Sequence, residues 1–152
     1  MKRRTMIIMV IVLLLAAGAY IGWRMYDEKT PDVVNAKPDA ATDVTTLLAA
    51  FEKDTASASR EYIDKIVEIR GNVKSIDTSG AVVLGADGNP SEVVVGFDRR
   101  HMDDFRKLKV GGVAVLQGIC SGYTKASEDP EDMLAALGTT VQFRSAGVKN
   151  KN

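Results

Sequence analysis

Between Tyr62 and Lys74 apolar and polar residues alternate: Val67, Ile69 and Val73 fall on one parity, Glu68, Arg70, Asn72 and Lys74 on the other. Successive side chains of an extended strand point to opposite faces, so this alternation predicts a half-buried β-strand. Gly71 sits inside it, and a glycine within a strand marks a bulge or a sharp bend. A long strand bending at a glycine suits the corner of a small closed barrel.

Upstream the period lengthens. Val44, Leu48, Phe51, Thr55, Ala58 and Tyr62 recur at spacings of four and three, one stripe of an amphipathic helix with Asp43 as its N-cap. The repeat is too short for a coiled-coil seam, so the stripe is expected to pack on its own domain. Downstream, Asp77–Gly80 is a turn cluster, Ala81–Gly85 a short strand and Ala86–Pro90 a second turn. Val93, Val95 and Phe97 form the apolar parity of the next strand, and the pair predicts a hairpin.

Asp98–Leu108 predicts a helix with Met102, Phe105 and Leu108 along its apolar edge. Arg99 and Asp103, Arg100 and Asp104, and Asp103 and Lys107 are spaced for ion pairs on it. After Gly111-Gly112, the run Val113–Leu116 is apolar on both parities, a strand expected to be covered on both sides and to end at Gly118–Tyr123. Asp129-Pro130-Glu131 has the form of a helix start inside a long acidic loop, and Thr139–Val148 closes the domain as a strand. The expected order is helix, three strands, helix, two strands. A five-stranded Greek-key barrel with a helix between its third and fourth strands is the OB-fold.

The amino end has a different character. Thr5–Trp23 carries no charge, and Met6–Trp23 as a helix would reach about 27 Å against a hydrocarbon core of ~30 Å. Lys2, Arg3 and Arg4 predict a cytoplasmic N-terminus, and Tyr20, Trp23 and Tyr26 suit the opposite interface. Residues 1–26 are therefore expected to be a transmembrane anchor and residues 27–42, with Pro31 and Pro38, a flexible linker. Residues 43–148 form the barrel domain, and residues 149–152 a polar tail. Ala17-Gly18-Ala19 also has the form of a cleavage site, so a removed signal peptide is the competing reading. The fold class expected is mainly β with helices: an N-terminal transmembrane helix, a linker, then a five-stranded OB-fold barrel preceded by an amphipathic helix.

Composition narrows the chemistry. The 152 residues carry 20 basic and 20 acidic side chains, and beyond the basic amino end the balance is slightly acidic. That argues against nonspecific nucleic-acid binding, which depends on neutralising phosphates. His101 is the single histidine and Cys120 the single cysteine, too few for a His/Cys zinc site and without a readable nucleophile–base pair. Asp129, Glu131 and Asp132 miss the EF-hand spacing, and no phosphate- or dinucleotide-binding glycine motif is present. No catalytic residue, metal or cofactor is expected.

Scattered positions carry a family likeness. Leu47-Leu48-x-x-Phe51-Glu52-x-Asp54, followed by Ala58, Tyr62, Lys65, Val67 and Gly71, resembles the tRNA-anticodon-like OB-fold family of bacterial envelope proteins. Leu108-x-x-Gly111, Gly118-x-Cys120-x-Gly122 and the closing strand with Val141 are similar to it as well. The resemblance implies an anchored envelope protein without an assigned activity. Members often have a second cysteine in a late strand, where this chain has Ser145-Ala146.

The expected function is a membrane-tethered extracytoplasmic binding or scaffolding module of the bacterial inner membrane. It would hold the lipid bilayer through residues 6–23 and recognise an envelope protein, peptide or glycan. OB-folds use strands two and three with the first and fourth connecting loops, which places Arg70, Lys74, Val94 and Tyr123 as candidate surface residues. The alternative is a single-stranded nucleic-acid-binding OB-fold, which needs a basic groove with stacking aromatics.

Overall fold

The computed structural model describes residues 11–20, 31–86, 88–127, 129 and 137–149. The chain divides between Pro31 and Asp32. Residues 11–20 are helical; the remainder of the expected span, Met6–Val10 and Ile21–Trp23, lies outside the described residues. Among the described residues no helix is long and apolar enough to cross a membrane. The expected helix after Asp129-Pro130 and most of the polar tail also lie outside them.

From Asp32 onward the described elements are β1 (Ala40–Asp43), α1 (Val44–Lys53), α2 (Thr55–Tyr62), β2 (Ile66–Asp77), β3 (Ala81–Gly85) and β4 (Glu92–Phe97). A 3-10 turn (Arg99–His101), α3 (Met102–Phe105), β5 (Val113–Thr124) and β6 (Thr140–Val148) follow. Strand order is β1-β2-β3-β4-β6-β5, and β5 pairs back onto β2. Strands β2 to β6 therefore close on themselves as a five-stranded barrel. With α3 between its third and fourth strands, this is the OB-fold arrangement.

The alternation read along β2 matches its burial: Val67, Ile69 and Val73 are in the core. The strand serves two neighbours in succession. Ile66–Asn72 pairs antiparallel with β5, and Val73–Asp77 with β3. The register shift falls between Val73 and Ser75, beyond the expected Gly71. Gly71 matters instead for helix packing, because a Cβ there would collide with Val44 Cγ2 of α1. Its bare backbone lets the helix lie against the bend.

Asp43 caps α1 as expected, accepting from Thr46 N at 2.9 Å and Thr46 Oγ1 at 2.8 Å. The single helix expected over residues 44–62 is broken. Asp54 leaves the helical region at φ −149°, ψ 92°, and its carboxylate accepts from Ala56 N and Ser57 N to start α2. The break turns Leu47 and Phe51 fully into the core, whereas Thr55 is only half-buried. Phe105 of α3 packs edge-on against Phe97 of β4 at 5.2 Å. The expected helix over Asp98–Leu108 is thus one 3-10 turn and one α-turn, and its ion pairs differ accordingly. Asp98 pairs with Arg100, Asp103 with Arg106 and Asp104 with Lys107. A single turn does not bring residues four apart together over its whole length.

The linker expectation needs correction from Asp32 onward. Val33 and Val34 are buried, and Ala40–Asp43 runs as β1 parallel to Val67–Arg70 of β2. Gln117 Nε2 donates to the carbonyls of Val33 and Ala36, and Lys149 Nζ to those of Val34 and Ala36. This anchoring is what covers β5 on its second side. Strand β5 also runs through Gly118–Tyr123, where the sequence suggested an end, by taking up register shifts at Gln117/Ile119 and Cys120/Gly122.

The fit at the bend has a measurable consequence. Gly71→Ala destabilises the domain by about 1–3 kcal/mol through overpacking. Pairing it with Val44→Ala recovers part of that loss. Urea midpoints of the two single variants and the double variant check the coupling.

Candidate binding surface

The bend of β2 opens a shallow pocket of ≈ 240 Å³ beside α1. Asp43, Val44 and Thr45 line one side, Arg70, Gly71 and Asn72 the floor, and Gly85, Ala86 and Val113 the rest. Val44 of α1 fills the space over Gly71, and the pocket lies beside that contact. Arg70 and Asn72 point away from the core on the parity opposite to Ile69 and Val73. Val113 is 61% exposed and supplies an apolar wall.

Of the four residues expected at a surface, Arg70 alone lines this pocket. Lys74 is held on the outer side of the hairpin, its Nζ 3.3 Å from Asn89 O and 3.7 Å from Glu92 Oε2. Val94 faces outward on β4, half-buried, directly opposite Val83 of β3. Tyr123 lies near the end of β5 with its ring 4.9 Å from that of Phe51, so it is part-exposed cover for the core. The four do not converge on one site. As site residues, sequence reasoning missed the other eight that line it: Asp43, Val44, Thr45, Gly71, Asn72, Gly85, Ala86 and Val113. Of these, the exposed Val113 at the start of a strand was the one with a readable signal.

Among the described residues of the barrel domain, Tyr123 is the one exposed aromatic ring. Phe51, Phe105, Phe143 and Tyr62 are buried, and Phe97 is half-buried against Phe105. The basic stretch after β4 is interleaved with carboxylates. The Arg100 guanidinium holds the Asp98 carboxyl down to about 2, with a further contribution from the Arg100 N–H. Lys107 likewise holds Asp104 below the ordinary carboxylate value.

Cys120 is fully buried and unpaired. Burial pushes its thiol up to about 11, which leaves almost no thiolate at neutral pH. His101 Nε2 stands 2.8 Å from Asp32 Oδ1, and that hydrogen bond lowers the Asp32 pKa. Among the described residues no group of three or more His, Cys, Asp or Glu side chains is placed to hold a metal ion.

A family model for tRNA_anti-like proteins matches residues 1–129. The chain belongs to the tRNA_anti-like family. This tRNA_anti-like protein also resembles the crystal structure of a candidate nucleic acid-binding lipoprotein from Klebsiella pneumoniae. Identity is 19% over 70% of this chain and 89% of that one, with a TM-score of 0.48. A candidate aspartyl-tRNA synthetase from Leishmania major shares 12% identity over 82% of this chain and 23% of that one, with a TM-score of 0.39. For the aspartyl-tRNA synthetase from Entamoeba histolytica the values are 16%, 82%, 27% and 0.34. The tRNA_anti-like chain spans about a quarter of each synthetase. No curated protein matches it.

Two titrations test the local electrostatics. The folded pKa of Asp98 lies below its unfolded value, so its contribution to stability is complete above about pH 4 and is lost as the pH falls toward 2. Arg100→Ala moves the Asp98 carboxyl back up toward the ordinary ~3.9, read by NMR titration. Cys120 resists maleimide at pH 8 in the native protein and reacts at once in urea. Native labelling as fast as that of free cysteine would contradict its burial.

Proposed function

We propose that this chain is a non-enzymatic binding module tethered to the bacterial inner membrane. Its N-terminus is cytoplasmic, and its OB-fold domain, outside the cytoplasm, recognises a protein or peptide; a glycan is the third ligand class to test. The pocket at the β2 bend carries this reading. Arg70 and Asn72 offer directional donors beside the apolar Val113, and a peptide group or carboxylate next to a small apolar side chain matches that mixture. The outward Val83–Val94 pair extends the apolar surface on neighbouring strands. Non-enzymatic action is supported by a buried, protonated Cys120 and by a single histidine engaged with Asp32. Tethering is supported by the uncharged run Thr5–Trp23 behind Lys2, Arg3 and Arg4.

Nucleic acid is the competing ligand, favoured by the outward cations Arg70 and Lys74 on one strand. Against it, the described aromatic rings form no exposed row, and stacking supplies much of single-strand affinity.

Photocrosslinking in intact cells from a reactive residue at position 113 tests the reading. It should trap an envelope protein or peptide in the otherwise unmodified chain, and Arg70→Ala should reduce the yield several-fold. Salt-sensitive micromolar binding of single-stranded RNA or DNA, lost in Arg70→Ala and Lys74→Ala, would transfer the function to the competing ligand. Protease added to sealed spheroplasts should digest the C-terminal domain. A protected domain contradicts the topology.

A further inference from the structure

The connection between α3 and β5 is cationic and apolar at once. Residues 99–109 carry five of the fifteen basic side chains between residues 32 and 152, and two of the eighteen acidic ones. The rest of the domain is acidic, so the positive charge is local to this corner. Phe105 is buried and Leu108 half-buried against the core, which leaves Arg106, Lys107 and Lys109 exposed. Arg106 and Lys107 face Asp103 and Asp104, but both cations are 74% exposed. Ion pairs that open to water are weak and exchange readily for another anion.

Val110 stands at the tip. Gly112 N donates to Lys109 O at 3.1 Å and Gly111 takes φ +82°, so Lys109–Gly112 is a tight turn with glycine at its positive-φ position. Gly111 N donates to Val73 O and Gly112 O accepts from Val73 N, each at 2.8 Å, which fixes the turn on β2. Beyond Asp32, four large apolar side chains are exposed among the described residues, and two of them lie here. Val113 walls the Arg70 pocket, whereas Val110, 64% exposed, serves neither pocket nor core. A single exposed valine is ordinary. One held at the tip of a turn and flanked by cations suits an anionic lipid surface, where an apolar tip enters the acyl boundary and cations meet headgroup phosphates. A nucleic acid would use the cations and offer Val110 no seat.

We propose that the α3–β5 turn docks on anionic lipid, with Val110 inserted and Arg106, Lys107 and Lys109 on headgroup phosphates. The chain brings that partner within reach. The uncharged run ends at Trp23, nine residues before Asp32, and an extended chain of that length spans at most about 32 Å. Asp32 is bonded to His101, which follows Arg99 and Arg100. The proposal rests on the tethered reading and not on the ligand of the Arg70 pocket.

The test places an environment-sensitive fluorophore on Val110→Cys in the full chain; Cys120 is buried and stays unlabelled. Vesicles carry a quencher on the upper acyl chain and are phosphatidylcholine alone or mixed with phosphatidylglycerol. Anionic vesicles quench the probe at least about threefold more than neutral ones, and raised salt weakens the difference. Lys107→Gln with Lys109→Gln reduces it at least about twofold. The same label on Thr124→Cys, at the far end of β5, responds equally to both lipids. Equal quenching of the Val110 probe by both vesicles, or a Thr124 probe that behaves like it, overturns the proposal. A blue shift in native membrane vesicles and in neither lipid vesicle makes an acidic envelope protein the occupant and overturns the assignment to lipid. Flotation isolates the tether: a chain that does not float with neutral vesicles refutes tethering. Docking then stands if the chain floats with anionic vesicles through Lys107 and Lys109, and falls if it does not.

Discussion

The domain depends on one strand satisfying two partners. Residues Ile66–Asn72 of β2 are bonded to β5, and Val73–Asp77 to β3. The bend of β2 is what lets one strand join β3 on one side and β5 on the other, and so closes the sheet. A closed barrel leaves its own strands no free edge, and β1 occupies the remaining edge of the first half of β2. At the bend the packing is tightest, because Val44 of α1 rests where Gly71 lacks a side chain. Each fully buried aliphatic around this point contributes about 1.5–3 kcal/mol, so small misfits there are costly.

The same constraint creates the candidate site. Where Val44 of α1 rests on Gly71, a pocket remains beside the helix, lined by Arg70 and Val113 among others. On the other side of α1, polar contacts fix the helix in place. Ser91 Oγ donates to Glu52 Oε1 at 2.7 Å and accepts from Thr139 N at 3.0 Å. One hydroxyl thus ties α1, the β3–β4 loop and the approach to β6 together. The buried Ser91 and Thr139 are satisfied in this way, in contrast to Gln117.

The turn at Asp32–Ala36 changes what the domain is. Measured from its packing, the folded unit begins at Asp32, before the helix that the hydrophobic stripe announced. Its hold on the barrel joins residues more than eighty positions apart, such as Gln117 with Val33 and Lys149 with Val34. Contacts of that range leave no local signature. A stretch with two prolines, several charges and only two adjacent valines has the composition of a linker, and its folding is decided by the barrel that receives it.

What the sequence by itself determined were the periods. Alternation at Val67, Ile69 and Val73 specified a strand face, the stripe through Val44, Leu48 and Phe51 a helix face, and the turn residues after β2 and β3 the hairpin. With the element order these define the barrel, because a half-buried strand or helix must place its apolar side against another. Only the tertiary structure showed the break at Asp54, where the carboxylate starts a new helix, the shortening of α3 and the exchange of its ion-pair partners. It also decided the pocket. Arg70 and Val113 are 43 residues apart in the chain, and pairing of Asn72 with Val113 brings their strands together. Side-chain chemistry is written locally, but which side chains share a surface follows from strand register.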